Sequence, residues 1–398
     1  MIRKLPFLLI IVIVGMIISL DGMERQIVSP GNQDLSLPFS PGILSEDFLF
    51  VSGASGNIPG TRQLAGEDIE SQTRQALENI GQVLRAGGMD FSDVVSSNVY
   101  LADVRHFQPM NSIYSTYFGQ NPPTRATVET DQVLSGALLE ISMIALHPRV
   151  SRRVVTPHGW SQPTSPYSWG IQAGDTLFIA GMVSRKPSTD ESVLGDIGAQ
   201  TRQVLQNVGA VLRRAGMDYG DVVSSRVFLS DARDFRAMNN VYRTFFTTDP
   251  PVRATVRARL ASLDFKVEIQ CVAVKDATRK VVGTPQLNSP FSPGIRVGKR
   301  LYLAGMVGRG PRGLELGDVK AQTRQTLLNL ESALKAGGLD LSNVVDATVF
   351  LSDVRYYNDM NEIYSRIMPE GFPARATVGT PLMSPSALVE IMMTAVEE

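Results

Sequence analysis

Apolar and polar positions along this chain follow one order, and they follow it three times. Residues 47–53 begin with a polar turn, continue as a short apolar run and end in Gly53, the pattern of a strand. From Asp68 the apolar residues Ile69, Ala76, Leu77, Ile80, Val83 and Leu84 recur at helical spacing. Asp68 is the expected N-cap of this first helix, and Gly87 with Gly88 its expected stop. Residues 94–101, rich in β-branched and aromatic side chains, predict a strand. Phe107, Met110, Ile113, Tyr114 and Tyr117 predict a second helix, and residues 125–129 and 137–146 two closing strands. The unit is β-β-α-β-α-β-β, an α+β domain with its helices on one face of a mostly antiparallel sheet.

Copies of this unit are recognisable residue by residue. Gln72-Thr73-Arg74-Gln75 returns as Gln200-Thr201-Arg202-Gln203 and Gln322-Thr323-Arg324-Gln325, and Arg-Ala-Thr-Val returns at Arg125, Arg253 and Arg375. Measured on Arg74, Arg125 and Glu140, the offset to the second copy is 128 residues, and from there to the third it is 122. A constant offset marks tandem triplication. The expected domains are residues 36–148, 163–276 and 287–398, with linkers over 148–164 and 276–288. Each sheet has one face without helices. Packing of the three around a pseudo-threefold axis would cover those faces, and the chain would be a monomer built like a trimer.

Composition narrows the chemistry. Thirty-eight basic side chains stand against 39 acidic ones in 398 residues, with no long basic run, so no nucleic-acid partner is expected. The one cysteine, Cys271, and the histidines His106, His147 and His158 recur at no equivalent position. A disulfide framework is excluded, and neither a triplicated metal site nor a Cys/His nucleophile is expected. Cys271 sits in an apolar strand and reads as a buried, inert thiol. Arg3 and Lys4 precede an apolar stretch over residues 5–20, which predicts an export signal or an N-terminal membrane anchor within residues 1–22.

The polar residues that do recur are more informative. A proline-stiffened loop delivers Arg125, Arg253 and Arg375 to the mouth of a strand, where a fixed guanidinium suits bidentate capture of a carboxylate. The alternative role is an inter-repeat salt bridge. Glu140, Glu268 and Glu390 each lie between apolar neighbours in a strand, so burial in a cleft should raise their pKa values, as general acid/base work requires; the alternative is a solvated edge residue. The spacing suggests that Arg125 works with Glu140, Arg253 with Glu268 and Arg375 with Glu390. Asp103, Asp231 and Asp353 read as N-caps of the second helix. The Gln-Thr-Arg-Gln segments read as the exposed side of the first helix, making helix-to-sheet or inter-repeat hydrogen bonds and taking no part in chemistry. Asn111, Asn239 and Asn361, with Tyr114, Tyr242 and Tyr364, read as packing residues carrying one polar tether.

Ser40, Ser168 and Ser292 in Pro-[Phe/Tyr]-Ser, the strand ending in glycine, Gln-Thr-Arg-Gln, and Pro-x-Arg-Ala-Thr-Val followed by Glu-Ile carry a family likeness. Each copy resembles a complete member of the RidA/YjgF reactive-intermediate deaminase family. That resemblance implies a chorismate-mutase-like fold, ligand clefts between neighbouring copies, and hydrolysis of 2-imino or enamino acids to 2-keto acids and ammonia without metal or organic cofactor. It assigns carboxylate binding to Arg125, Arg253 and Arg375, and placement of the attacking water to Glu140, Glu268 and Glu390. The aromatic lid falls on Phe39, Tyr167 and Phe291, and further substrate contacts on Gly53, Gly181, Gly305, Thr127, Thr255 and Thr377. Thr127, Thr255 and Thr377 stand where many deaminases have a cysteine, and Tyr167 alone keeps a lid hydroxyl, which makes the middle copy the nearest match. A non-catalytic binder of small carboxylates is the second reading. An RNA-cleaving role, another label of the family, is opposed by the balanced charge.

Overall fold

The computed structural model describes residues 23–31, 37–284, 289–310, 313–314 and 317–398. The predicted signal or anchor over residues 1–22 lies outside them. None of the described helices is long and apolar enough to cross a membrane.

The first repeat contains β1 (Met23–Val28), β2 (Gly42–Glu46), β3 (Phe48–Ser55), α1 (Ile69–Ala86), β4 (Val94–Leu101), α2 (Phe107–Tyr114), β5 (Thr124–Glu129) and β6 (Leu139–Leu146). Its sheet runs β1-β2-β3-β6-β4-β5, antiparallel except for β4 beside β5. The second repeat supplies β7 (Arg152–Val155), β8 (Gly170–Ala173), β9 (Thr176–Met182), α3 (Ile197–Arg214), β10 (Val222–Leu229), α4 (Phe235–Tyr242), β11 (Val252–Arg257) and β12 (Val267–Val274). The third supplies β13 (Lys280–Val282), β14 (Gly294–Val297), β15 (Arg300–Val307), α5 (Val319–Ala336), β16 (Val344–Leu351), α6 (Tyr357–Ile367), β17 (Ala374–Gly379) and β18 (Val389–Val396). Asp68, Asp196 and Asp318 cap the long helices by accepting backbone N–H bonds from Ser71, Ala199 and Ala321. Asp103, Asp231 and Asp353 cap the single 3-10 turns that lead into α2, α4 and α6.

The expected linkers are not plain connectors. β7 and β13 arise within them and pair with β8 and β14, as β1 pairs with β2, so every repeat gains an N-terminal strand. Each brings an arginine that reaches the preceding repeat around the ring. Arg152 Nε donates to Val94 O at 3.2 Å, Arg279 Nη2 to Val222 O at 3.1 Å, and Arg25 Nε to Val344 O at 3.2 Å. Arg25 therefore joins the first repeat to the third and closes the ring.

Two kinds of core result. Each repeat buries a cluster between its own sheet and helices, such as Leu49, Leu77, Ile80 and Ile141 in the first. A shared cluster joins the helix-free faces of all three sheets through Tyr100, Phe228, Phe350 and their neighbours. Where three copies meet, identical side chains would repeat every contact. Here they differ: Arg300 of the third repeat ion-pairs with Glu46 of the first at 2.8 Å and with Asp175 of the second at 3.0 Å. Sheet edges are closed the same way around the ring. The Arg259–Leu260 strand pairs with β5, Leu382 bridges to Val256 in β11, and Asp131–Gln132 pairs with β17, so no arginine strand is left as an open edge.

Candidate active site

The arginines and glutamates meet across repeats, not within them. Glu140 Oε1 accepts the Thr377 N–H at 3.0 Å, and Glu268 Oε1 accepts the Thr127 N–H at 3.3 Å. Glu390 likewise receives a bond from the Thr255 backbone. The three clefts therefore join Arg375 with Glu140, Arg125 with Glu268, and Arg253 with Glu390. This corrects the same-copy pairing that the spacing suggested. Arginine and glutamate leave different strands of one sheet, and the arginine strand is the edge that the next repeat covers. Tyr167 consequently belongs to a cleft shared by the first two repeats, not to a site of the middle copy.

Glycine makes room for each carboxyl. A Cβ on Gly53 would stand 2.2 Å from Glu140 Oε1, one on Gly181 1.9 Å from Glu268 Oε1, and one on Gly305 2.1 Å from Glu390 Oε1. All three lie where the strand register shifts, so a bulge turns the bare backbone toward the carboxyl. These glycines seat the glutamate. Burial raises Glu140 and Glu390 to about 7 and Glu268 to about 8, opposed by the threonine N–H and by the facing arginine. A carboxyl in that range can both take and give a proton near neutral pH.

Aromatic faces hold the arginines. The Arg375 guanidinium lies 4.7 Å from the Tyr364 ring and 5.3 Å from Phe39, and Arg253 lies 4.7 Å from Tyr242 and 5.3 Å from Phe291. In both, Nη2 donates to an asparagine Oδ1, Asn361 at 2.8 Å and Asn239 at 2.7 Å. Nε and Nη1 of both remain buried without a protein partner, as does Nη1 of Arg125. Among the described residues none of the three arginines forms an ion pair with a carboxylate, so the salt-bridge alternative is not what the structure shows. Thr127, Thr255 and Thr377 offer buried hydroxyls that are also unpaired. The Arg375 cleft encloses about 600 Å³ and the Arg253 cleft about 460 Å³.

Arg125 departs from this pattern. It stacks on Tyr114 at 4.8 Å and Phe107 at 5.7 Å, while both amide atoms of Asn111 stay unpaired. Asn239 and Asn361 spend their one polar tether on the arginine, and with Tyr242 and Tyr364 they position it.

In the Gln-Thr-Arg-Gln segments Arg74, Arg202 and Arg324 are exposed and the leading glutamines make helix-to-sheet hydrogen bonds, as expected, but the first two residues are not on the exposed side. Gln72 is fully buried, as are Thr73 and their counterparts. Gln72 Oε1 accepts the Leu138 N–H at 2.8 Å, Gln200 Oε1 that of Lys266 and Gln322 Oε1 that of Leu388, each at 2.8 Å. Each donor precedes the cleft glutamate by two residues. Position carried the missed signal: Gln72 and Thr73 lie three and four residues after Ile69, on the helix's apolar stripe.

The lid serines fix the neighbour's proline loop. Ser40, Ser168 and Ser292 donate their N–H groups to Pro373, Pro123 and Pro251 carbonyls at 3.0, 3.0 and 3.2 Å. Cys271 is buried in β12, where burial pushes its thiol up to about 12. Among the described residues no cluster of three or more His, Cys, Asp or Glu could hold a metal.

Comparison with known proteins agrees with this architecture. The family model described as Endoribonuclease L-PSP matches residues 32–147, 160–275 and 283–397. A RutC family protein of Pyrococcus horikoshii is 41% identical over 125 residues, 31% of this chain and 99% of that protein. The human protein named 2-iminobutanoate/2-iminopropanoate deaminase is 32% identical over 128 residues, 32% of this chain and 93% of its own length. A chorismatase crystal structure, 15% identical with a TM-score of 0.53, follows 77% of this chain and 94% of its own, which extends the likeness of fold beyond a single repeat. With one family model satisfied three times in succession, the chain belongs to the RidA/YjgF, or endoribonuclease L-PSP, family as a tandem triplicate.

Proposed function

We propose that the chain hydrolyses reactive 2-imino or enamino acids to 2-keto acids and ammonia in the clefts between its repeats. The observation that carries this reading is the thrice-built pairing of a buried arginine, whose Nη1 has no protein partner, with a buried glutamate raised to about 7 or 8. The guanidinium binds the substrate carboxylate and fixes C2 relative to the glutamate. In its ionised form the glutamate takes a proton from water as the water oxygen bonds to C2 and the C=N π electrons move to nitrogen. The carboxyl returns that proton to nitrogen, giving the carbinolamine; the carboxylate then takes the hydroxyl proton as the C=O forms, and passes it to the nitrogen as the C–N bond breaks. Water and imine are consumed, ketone and ammonia are released, and the glutamate is regenerated.

Relatives with deaminase names support the reaction class, the Arabidopsis thaliana Reactive Intermediate Deaminase A among them at 36% identity over 129 residues, 32% of this chain and 69% of that protein. Export or anchoring through residues 1–22 is part of the proposal and rests on Arg3, Lys4 and the apolar run that follows. The test is ammonia release from 2-iminobutanoate made in situ, with purified full chain. Acceleration over buffer that disappears when Arg125, Arg253 and Arg375 are all changed to Ala supports the reading; no acceleration overturns it.

A further inference from the structure

Two clefts are alike and the third is not. At the position following the lid serine, Pro41 and Pro293 line the Arg375 and Arg253 cavities; the corresponding residue in the Arg125 cleft is Trp169. Tyr167 packs edge-on against it at 5.4 Å and 90°, and Trp160 packs edge-on from another side at 5.2 Å and 80°. The Trp169 indole is fixed by its Nε1 donating to Ser161 O at 2.9 Å. Trp169 is buried and Tyr167 and Trp160 are each half-buried, and burial raises the Tyr167 hydroxyl above its ordinary pKa.

The lid ring makes different contacts here. Phe39 and Phe291 each lie 5.3 Å from their arginine, but Tyr167 is engaged with Trp169 and does not stack on Arg125. The Tyr167 phenol instead sits close enough to Arg125 and Glu268 to feel both charges, which places the aromatic cluster at this cleft. Arg125 Nη1 and Thr127 Oγ1, both buried and unpaired, supply the polar end of that site.

We infer that the Arg125–Glu268 cleft is specialised for aromatic 2-imino acids, the ligand's own ring completing the cluster of Tyr167, Trp169 and Trp160, while the two phenylalanine-lidded clefts serve small aliphatic ones. Ring against ring in edge-on or offset geometry favours such a ligand beyond the area it buries. The inference rests on the deaminase reading for turnover, but its binding half stands without it.

Both tryptophans of the chain lie in this cluster, so their emission reports on this cleft alone. Phenylpyruvate added to the full chain should bind in calorimetry with one high-affinity site and change tryptophan emission saturably at the same concentrations. 2-Oxobutanoate should bind with little change in emission. In turnover, the ratio of rates on imines made from phenylalanine and from 2-aminobutyrate should fall at least about fivefold in Trp169→Pro and rise at least about fivefold in the double variant Arg253→Ala/Arg375→Ala. The double variant keeps the test decisive should Trp169→Pro fail to fold. A ratio unmoved in the double variant, or phenylpyruvate binding that leaves the emission unchanged, overturns the assignment while the deaminase reading stands. Neither imine being hydrolysed, with the emission change retained, overturns the deaminase reading and supports the binding assignment.

Discussion

Thr377 donates its backbone N–H to the carboxyl of Glu140, 237 positions earlier in the chain, at 3.0 Å. The bond spans the joint between the last repeat and the first, so a cleft is assembled only when the ring closes. Arg375, two residues before that threonine, is presented to the same carboxyl by the same strand.

Double substitutions should reveal this pairing. With an aliphatic imine, Arg253→Ala combined with Glu390→Gln disables one cleft and should be little worse than Arg253→Ala alone, because residues acting as a unit are non-additive. Arg253→Ala combined with Glu140→Gln disables two clefts and should lose most of the remaining rate. Steady-state kinetics on the four proteins decides it; equal losses in both doubles would contradict pairing across repeats.

Gly53 faces the same carboxyl from the other side. Gly53→Ala puts a methyl where Glu140 Oε1 now lies, and a shift of roughly 1 Å in a reacting group costs on the order of a hundredfold in rate. In a background of Arg125→Ala and Arg253→Ala, which leaves this cleft alone intact, kcat should fall by that order while 2-keto acid affinity changes far less. A loss confined to affinity would mean that the glycine serves the ligand and not the glutamate.

The buried carboxyls predict how stability depends on pH. Folded values of about 7 to 8 stand above the roughly 4.3 of an unfolded glutamate, so the folded chain retains these protons to higher pH. Their contribution is fully present below about pH 4.3 and is lost as pH rises through 7 to 8. Denaturant midpoints should decline from roughly pH 5 to roughly pH 8.5, and the variant Glu140→Gln/Glu268→Gln/Glu390→Gln should flatten the decline. An equal slope in that variant would assign the dependence to other groups.

Arg25 is the third joint's counterpart of Arg152 and Arg279. Arg25→Ala leaves the carbonyls of Val344 and Gly371 without this donor, a loss of roughly 1–3 kcal/mol in stability. Thermal unfolding should show a lower midpoint, and the rate through the Arg375–Glu140 cleft should fall more than through the other two.

Periodicity made most elements of each repeat legible, since helical and strand spacing are local properties. α1 begins after Asp68 and β4 spans 94–101, as the pattern predicts. The identities of the cleft arginines and glutamates were also legible, because triplication preserves them while cysteine and histidine fail to recur. Their partnership was not. Contacts such as Glu268 with Thr127 join residues 141 apart, and the geometry that decides them is the docking of one sheet's edge on the next repeat. The strands β1, β7 and β13 are not legible in the sequence, because three to six residues in or beside which an arginine stands look like linker until a neighbour's carbonyls give the arginines a purpose.

Sharing each cleft between two repeats also couples the inheritance of the copies. The first repeat lends Arg125 to one centre and Glu140 to another, so decay of that single copy silences two centres and spares only the Arg253–Glu390 one. Selection cannot retire a copy one site at a time. It can, however, alter a lid without touching either neighbour's arginine, and that is the kind of change found at Trp169.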